Sequence, residues 1–516
     1  MSKKALVVGL GASGLAAIEY LVRRGWSVEA ADTREAPPNA EKVLVAHPGM
    51  VLHLGGLPET LADGIDLLVM SPGVSPYYGA AAALVARARA RGVDIAGEIE
   101  LFARELSRLK AETGYAPKVI GITGTNGKTT TTSLTAKMMA QAGFSTVAAG
   151  NIGPNAVTEL LRAEDEGKLP DCWVLELSSF QLETTATLRC DAAALLNVTE
   201  DHIDWHGSLE AYAAAKARIF SESAVRVVNR DDGHTLEAAR HAGVRAGASP
   251  KILTFGADSP EAPGEYGLVE AEGLSWLAFV PAPESETLAA GSVKQRSKRV
   301  RASEPGAADV ERLMPEDALL IRGRHNAMNA LAAVALATAA GASLGRVLAA
   351  LAAYKGEPHR VEYLRTVDGV DFIDDSKGTN VGAVAAAVKG FAAQKRRILI
   401  VLGGDGKGQD FSPLAEALAG TAGAVALIGQ DARKIGAALD CHGAFAAPKA
   451  YFETLEAAVD WLWTAHRPGD VLLLSPACAS WDMFRNYAHR SAVFAECAAR
   501  IAADLGAEDD ATASGN

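Results

Sequence analysis

Seven consecutive residues, Gly124-Thr125-Asn126-Gly127-Lys128-Thr129-Thr130, carry the plainest chemistry in this sequence. They stand between an apolar β-type run, VIGIT, and a helical stretch, TTTTSLTAKMMAQAG. The N–H groups of such a turn line a helix amino terminus, where an anion is stabilised. Lys128 supplies a point charge for the β and γ phosphates of ATP, and Thr129 offers a hydroxyl to Mg²⁺. The usual loop has a further glycine five residues before the Gly of its Gly-Lys pair, and here Ile122 takes that place. Nothing in the phosphate chemistry requires the missing glycine. A helix cap alone would not require the lysine.

A second glycine loop, Gly9-Leu10-Gly11-Ala12-Ser13-Gly14, follows a strand pattern and precedes a helical one, and Asp32 ends the next strand. Alone it points to a dinucleotide-dependent oxidoreductase, with diphosphate on the helix start and Asp32 on a ribose hydroxyl. A dehydrogenase has no use for the lysine-bearing loop, so two such loops imply ATP plus another nucleotide-bearing ligand. Glu176 ends the strand pattern VLELSS and is a hard oxygen ligand suited to Mg²⁺. His202 follows a strand at NVTEDH, where the carboxyl ends of parallel strands gather ligands. Lys216, in AAYAAAKARIF, reads from its neighbours alone as an ordinary surface lysine.

These groups need a scaffold, and the chain alternates short apolar runs with helical patterns along nearly all of its 516 residues, as parallel α/β units do. Three blocks separate, at residues 1–112, 113–357 and 358–516. The pattern fails between 258 and 312, which reads as a loop insertion containing the basic run Lys294 to Arg301; the last residues, GAEDDATASGN, read as a disordered tail. A net charge of -12 argues against non-specific binding to nucleic acid or anionic lipid. The start, MSKKALVVGLGASG, is interrupted by glycines and does not read as a signal peptide, and no run is long and apolar enough to be inserted in a membrane. The five cysteines lie far apart, with no Cys-x-x-Cys pair, as expected of reduced thiols in a cytoplasmic enzyme.

In order along the chain, GITGTNGKTT, AGNIG, LELSSFQLE, NVTEDHIDWHGS, AAAKARI, GRHNAMNALAA, HRVE, DDSKGTN, GGDGKGQDF and LSPACASWDMFRNY resemble the ATP-dependent Mur ligases of peptidoglycan synthesis. The opening GLGASG with DTR, the SPG of residues 71 to 73 and the SPACASWD segment are similar to the branch that adds D-glutamate to UDP-N-acetylmuramoyl-L-alanine. The resemblance implies an α/β protein of three domains: a Rossmann-like amino-terminal domain, a central P-loop ATPase-like domain and a Rossmann-like carboxyl-terminal domain. It implies a cytoplasmic, monomeric enzyme that activates a carboxylate as an acyl phosphate, releasing ADP and phosphate. The first glycine loop is then reassigned from hydride transfer to the UDP substrate, with Gly11, Ser13, Gly14, Asp32, Thr33, Arg34, Gly73 and Asn151 around it.

The same resemblance places ATP on Gly124 to Thr130, with Asn329 near the adenine and Arg360 and Asp375 at phosphate and ribose. It implies two Mg²⁺ sites drawing on Thr129, Glu176, His202 and a carbamylated Lys216. It gives D-glutamate to Lys377, Thr379, Lys407, Ser480 and Tyr487; the family often has phenylalanine at the last position. The third block is expected to swing in to complete the phosphate site. A sibling ligase for another amino acid, a folate-glutamating ligase and a nucleotide-binding regulator without turnover are the alternatives.

Overall fold

Runs in which every residue is apolar, such as ALVV, ILIVLG and VLLL, suit strands buried on both faces, and each forms one. The structure is a computed structural model, and it describes residues 3–506 except 38, 243–249, 282–308, 322, 407, 442 and 444. The basic run Lys294 to Arg301, the tail from residue 507 on and Lys407 lie outside the described residues.

The first sheet holds β1 (Lys4–Val8), β2 (Ser27–Asp32), β3 (Leu52–Leu54), β4 (Leu67–Met70) and β5 (Asp94–Ala96), all parallel, in the order β3-β2-β1-β4-β5. The chain reverses direction across the sheet between β1 and β4, which opens a crevice at their carboxyl ends. The glycine loop follows β1 there and Ser71 to Gly73 follow β4, joined by the Ser71 hydroxyl donating to the Gly9 carbonyl at 3.0 Å. Gly14 lets the first helix, Ala12–Arg23, sit against the strand end, since a Cβ there would lie 1.8 Å from the Gly9 carbonyl oxygen.

The second sheet holds β6 (Lys118–Thr123), β7 (Thr146–Gly150), β8 (Cys172–Glu176), β9 (Ala192–Leu195), β10 (Val225–Asn229), β11 (Lys251–Phe255), β12 (Glu265–Ala271), β13 (Leu274–Phe279) and β14 (Glu311–Pro315). Their order is β14-β13-β12-β11-β10-β9-β6-β8-β7. Strand β6 lies between β9 and β8, so the loops after all three open on one edge. The part of the 258 to 312 segment expected to be a loop is corrected here: β12 and β13 form an antiparallel hairpin, and β14 pairs with β13. Its turn, Glu272-Gly273, has two positive φ angles (56° and 77°), the geometry that suits a two-residue hairpin. The stacked rings of Tyr266 and Phe279, 5.4 Å apart, hold its open end.

Helix Glu98–Thr113 joins these two sheets into one compact unit, Met1–Pro315 with Asn329–Leu351. Its Phe102 meets Trp173 edge to face at 5.1 Å, and Glu100 accepts hydrogen bonds from the backbone N–H groups of Ala186 and Thr187. Glu98 is 2 % exposed and accepts from the Val157 N–H at 2.7 Å, while its other oxygen has no hydrogen-bond partner among the described residues. Burial raises its carboxyl from the ordinary 4.5 to about 7. The unfolded chain gives up this proton near 4.5 and the native chain only near 7, so stability falls as pH rises through that window. The penalty, complete above pH 7, is on the order of 3 kcal/mol. Glu98→Gln is therefore expected to raise the denaturant midpoint at pH 8 and leave it nearly unchanged at pH 5; an equal gain at both would refute the assignment.

The second compact unit, Glu316–Met328 with Ala352–Asn516, holds β15 (Glu362–Val367), β16 (Val370–Asp374), β17 (Ile398–Gly403), β18 (Ala422–Ile428), β19 (Lys449–Phe452) and β20 (Val471–Leu474). The order is β15-β16-β20-β17-β18-β19, with β15 alone antiparallel. Valine, leucine, isoleucine and phenylalanine fill both faces of the sheet against its helices.

Candidate functional site

On the second sheet the loop after β6 turns directly into helix Lys128–Gln141, with Gly127 as its left-handed N-cap residue (φ 82°). Asn329 packs against Gly127 so closely that a Cβ there would lie 2.3 Å from its side-chain oxygen, and the Thr131 hydroxyl reaches the same oxygen at 3.5 Å. Asn197 clamps the loop from the neighbouring strand end. Its side chain accepts from Asn126 N–H at 2.8 Å and donates to the Asn126 carbonyl, while its own carbonyl accepts from Thr125 N–H.

Lys128 Nζ donates to the Gly124 and Thr125 carbonyls, both at 2.7 Å, so its ammonium lies back over the loop. Lys216 does not behave as the surface lysine its neighbours suggest. Carried on helix Leu209–Ala217, it is 1 % exposed and donates to the same Gly124 carbonyl at 2.9 Å. Its Nζ lies 4.4 Å from the centre of the Tyr212 ring, whose hydroxyl reaches Thr125 Oγ1 at 3.2 Å. Burial, and then the Lys128 charge, hold the Lys216 pKa well below the ordinary ammonium range, with Asp201 opposing them. The amine therefore loses its proton more readily than that of an exposed lysine.

Glu176 pairs in register with Ile122, two residues before Gly124, and is 2 % exposed. Asn151 donates to its Oε1 at 2.7 Å, and its Oε2 is buried with no hydrogen-bond partner among the described residues. A buried carboxylate oxygen left open at a strand end suits a hard cation, so the residues present fit a Mg²⁺ ion. His202 begins the short helix Ile203–His206 with a left-handed backbone (φ 55°) and sits between the Phe180 ring at 4.7 Å and the Tyr212 ring at 6.2 Å. The second sheet thus gathers Lys128, Lys216 and Asn329 directly on the loop, with His202 across Tyr212. Thr129 is buried at the helix start, and Thr130 follows it.

In the first sheet, both Asp32 oxygens are occupied. They accept from the Leu10 N–H at 2.8 Å, the Arg34 N–H at 3.0 Å and the Arg34 guanidinium at 2.8 and 2.9 Å, which holds the carboxyl down to about 2. Asp32 therefore shapes the glycine loop and orients Arg34. Ser13 accepts from Asn155 at 3.1 Å, tying Gly11 to Gly14 to the loop that carries Asn151, while Thr33 and Gly73 stand exposed at the crevice rim.

The second unit gathers Arg360, Asp375, Lys377, Thr379, Ser480 and Tyr487 near the carboxyl ends of β16 and β20. Asp375 accepts from Ser475 Oγ at 2.6 Å, and burial raises its carboxyl to about 7 while the Arg360 charge opposes the rise. Lys377 Nζ lies 5.3 Å from the centre of the Tyr487 ring. The loop after β17 is tied to the one after β20 through Asp405 and Ala479, next to the buried Ser480. Asn197 and Tyr212 were not singled out from the sequence. NVT and AAYAAAK name the residue types, but only the pairing of β6 with β9 brings them to the loop.

Sequence models of known families match the chain in three stretches: the Mur ligase MurD-like N-terminal domain over residues 3–97, the Mur ligase middle domain over 122–337, and the Mur ligase glutamate ligase domain over 359–478. The chain is 50 % identical over 502 residues to a UDP-N-acetylmuramoylalanine--D-glutamate ligase of Burkholderia pseudomallei, covering 97 % of each protein. It is 49 % identical over 504 residues to the enzyme of that name from Cupriavidus pinatubonensis, again with 97 % of each covered. Among solved structures, it is similar in fold to the MurF ligase of Thermotoga maritima in complex with ADP, with a TM-score of 0.56 at 15 % identity, covering 98 % of this chain and 96 % of that one. The UDP-N-acetylmuramate-alanine ligase of Thermotoga maritima gives 0.53 at 19 % identity, covering 97 % and 100 %.

Proposed function

The chain belongs to the Mur ligase family and adds D-glutamate to UDP-N-acetylmuramoyl-L-alanine in an ATP-dependent step of peptidoglycan synthesis, and on that premise we propose how its residues divide the work. A carboxylate is a poor acyl donor. Its oxygen attacks the γ-phosphorus of ATP and ADP leaves, giving an acyl phosphate; the D-glutamate amine then attacks the acyl carbon, phosphate leaves and the amine proton is lost. Both steps concentrate negative charge, so positioning and neutralisation supply most of the catalysis.

Lys128 moves its ammonium from the loop carbonyls to the β and γ phosphates, while the N–H groups of residues 124 to 130 cradle them. Asn329, already on Gly127, is assigned to the adenine side, and Arg360 and Asp375 to phosphate and ribose. Thr129, Glu176, His202 and Lys216 would hold Mg²⁺ at two places; the ion, when bound, neutralises phosphate and carboxylate charge. The Lys216 amine, which burial makes easier to deprotonate, takes up CO₂ in its unprotonated form with loss of a proton, becoming an N-carboxylate that turns a repelling cation into a metal ligand.

Gly11, Ser13, Gly14, Thr33, Arg34, Gly73 and Asn151 hold the UDP substrate, with Asp32 orienting Arg34. D-glutamate is assigned to Lys377, Thr379, Lys407, Ser480 and Tyr487, and the enzyme is proposed to act as a cytoplasmic monomer. Among the described residues no helix is long and apolar enough to cross a membrane. The observation that carries the chemistry is the pair of lysines sharing the Gly124 carbonyl. The test is phosphate release with UDP-N-acetylmuramoyl-L-alanine and ATP: D-glutamate is expected to drive it, and L-alanine, diaminopimelate and L-lysine are not. Equal release with any of those three would overturn the assignment.

A further inference from the structure

The loop that carries Arg360 has an unusual backbone. His359 and Val361, on either side of the arginine, have φ angles of 68° and 47°, and neither is glycine. Such a conformation persists only where its surroundings over-determine it. Here two adjacent aspartates at the end of β16 do so. Asp375 Oδ1 accepts from the Val361 N–H at 3.3 Å, and Asp374 Oδ2 lies 2.9 Å from His359 Nδ1. Glu362 accepts from the His359 N–H at 2.7 Å, and the His359 carbonyl accepts from the Lys377 N–H at 3.1 Å.

Asp374 is 0 % exposed and is itself held on all sides. Its Oδ1 accepts from Ser376 N–H at 3.0 Å and Ser376 Oγ at 2.6 Å, and its Oδ2 accepts from Ser491 Oγ at 2.5 Å. Ser491 belongs to helix Tyr487–Asp504, and the ring of Tyr487 at its start meets the His359 ring at 5.7 Å. His359, Glu362 and Asp374 do place three possible ligand atoms within 4.8 Å of one another. Each carboxylate, however, already receives N–H or O–H donors, so the cluster is satisfied as a hydrogen-bonded anchor without a cation.

We propose that Asp374 is a positioning residue for ATP binding: it grips His359, with Ser491 and Ser376 as its supports, and so sets the backbone that aims Arg360. Asp374 accepts from Ser376 and Ser491, and the hydrogen bond between its Oδ2 and His359 Nδ1 fixes the ring in one orientation. This rests on the reading of Arg360 as a phosphate ligand of ATP. Misplacing a charged group by a fraction of its bond length weakens transition-state and ligand contacts sharply.

The test measures KM for ATP, D-glutamate and the UDP substrate, with kcat, in the full-length enzyme. Asp374→Ala is expected to raise KM for ATP about tenfold and leave KM for the UDP substrate within about twofold. Asp374→Asn keeps an acceptor for only one of the two sides and is expected to recover part of that loss. Ser491→Ala, a milder change that keeps the carboxylate, is expected to move KM for ATP in the same direction by about two- to threefold; it serves as the readout should Asp374→Ala not fold. In an Arg360→Ala background, either substitution is expected to add less than about twofold, because its effect passes through the missing guanidinium. Full additivity, or equal change in all three KM values, would overturn the proposal. If Arg360→Ala weakens ATP while the Asp374 and Ser491 variants do not, the positioning role alone fails. If Arg360→Ala leaves KM for ATP unchanged, the assignment of Arg360 fails and the proposal falls with it.

Discussion

Lys128→Ala is expected to lower the rate of ligation by about 10²–10³-fold or more, since a fixed cation that meets the charge developing on a transferred group is worth that much. Its ammonium donates to two loop carbonyls, of Gly124 and Thr125. The Gly124 carbonyl keeps its hydrogen bond from Lys216 and Thr125 is half-buried, so losing the two bonds costs the fold about 1 kcal/mol apiece at most. Asn197 still holds the loop through Thr125 and Asn126, and helix Lys128–Gln141 still starts at Gly127. Folding and loss of activity are therefore separable. The check is coupled ADP release alongside a thermal melt: near-parental turnover in a folded variant would remove the phosphate-loop assignment.

Lys216 makes a sharper demand. Lys216→Ala is expected to lose at least about 10²-fold in turnover, as losing a metal-supporting anion would require, and to regain part of it with added formate or acetate. The acid would place two negative oxygens in the vacated volume. Lys216→Arg is expected to fare no better than alanine, since guanidinium stays charged and cannot take up CO₂. An active arginine variant would show that the position needs only a cation. The buried setting adds a coupling between the two lysines. The Lys128 charge helps lower the Lys216 pKa, and the same charge would stabilise the N-carboxylate once formed. Lys128→Ala should therefore also reduce ¹³CO₂ uptake at Lys216, read as loss of a carbamate carbon resonance; an undiminished signal would separate the two residues.

The sheets' inner strands were legible in the sequence because parallel strands buried on both faces read as near-continuous apolar runs, as VIGI, WVL, ILIVLG and VLLL do. The edge and antiparallel strands were less so. TVAAG is a short edge strand with little side-chain mass, and the Glu265–Phe279 hairpin turns on Glu-Gly, a weaker signal than Asn-Gly. The helix from Glu98 to Thr113 showed its period, but not that it would bind two sheets into one unit.

By itself, the sequence determined the two glycine turns, one of them with a lysine at the start of its helix, and the order of the blocks, because each depends on residues adjacent in the chain: a backbone that must turn, a lysine at a helix start, an apolar run. Only the tertiary structure decided what distant residues do to one another. Lys216 became a buried amine with a lowered pKa because the pairing of β6 with β9 brings its helix under the Gly124 carbonyl, 92 residues away. Asp32 is committed to Leu10 and Arg34, and Asp374 to His359 and Ser491, for the same reason. Local spacing sets which groups are available, whereas burial and the charges around it set their protonation and partners, and both arise only when the chain is packed.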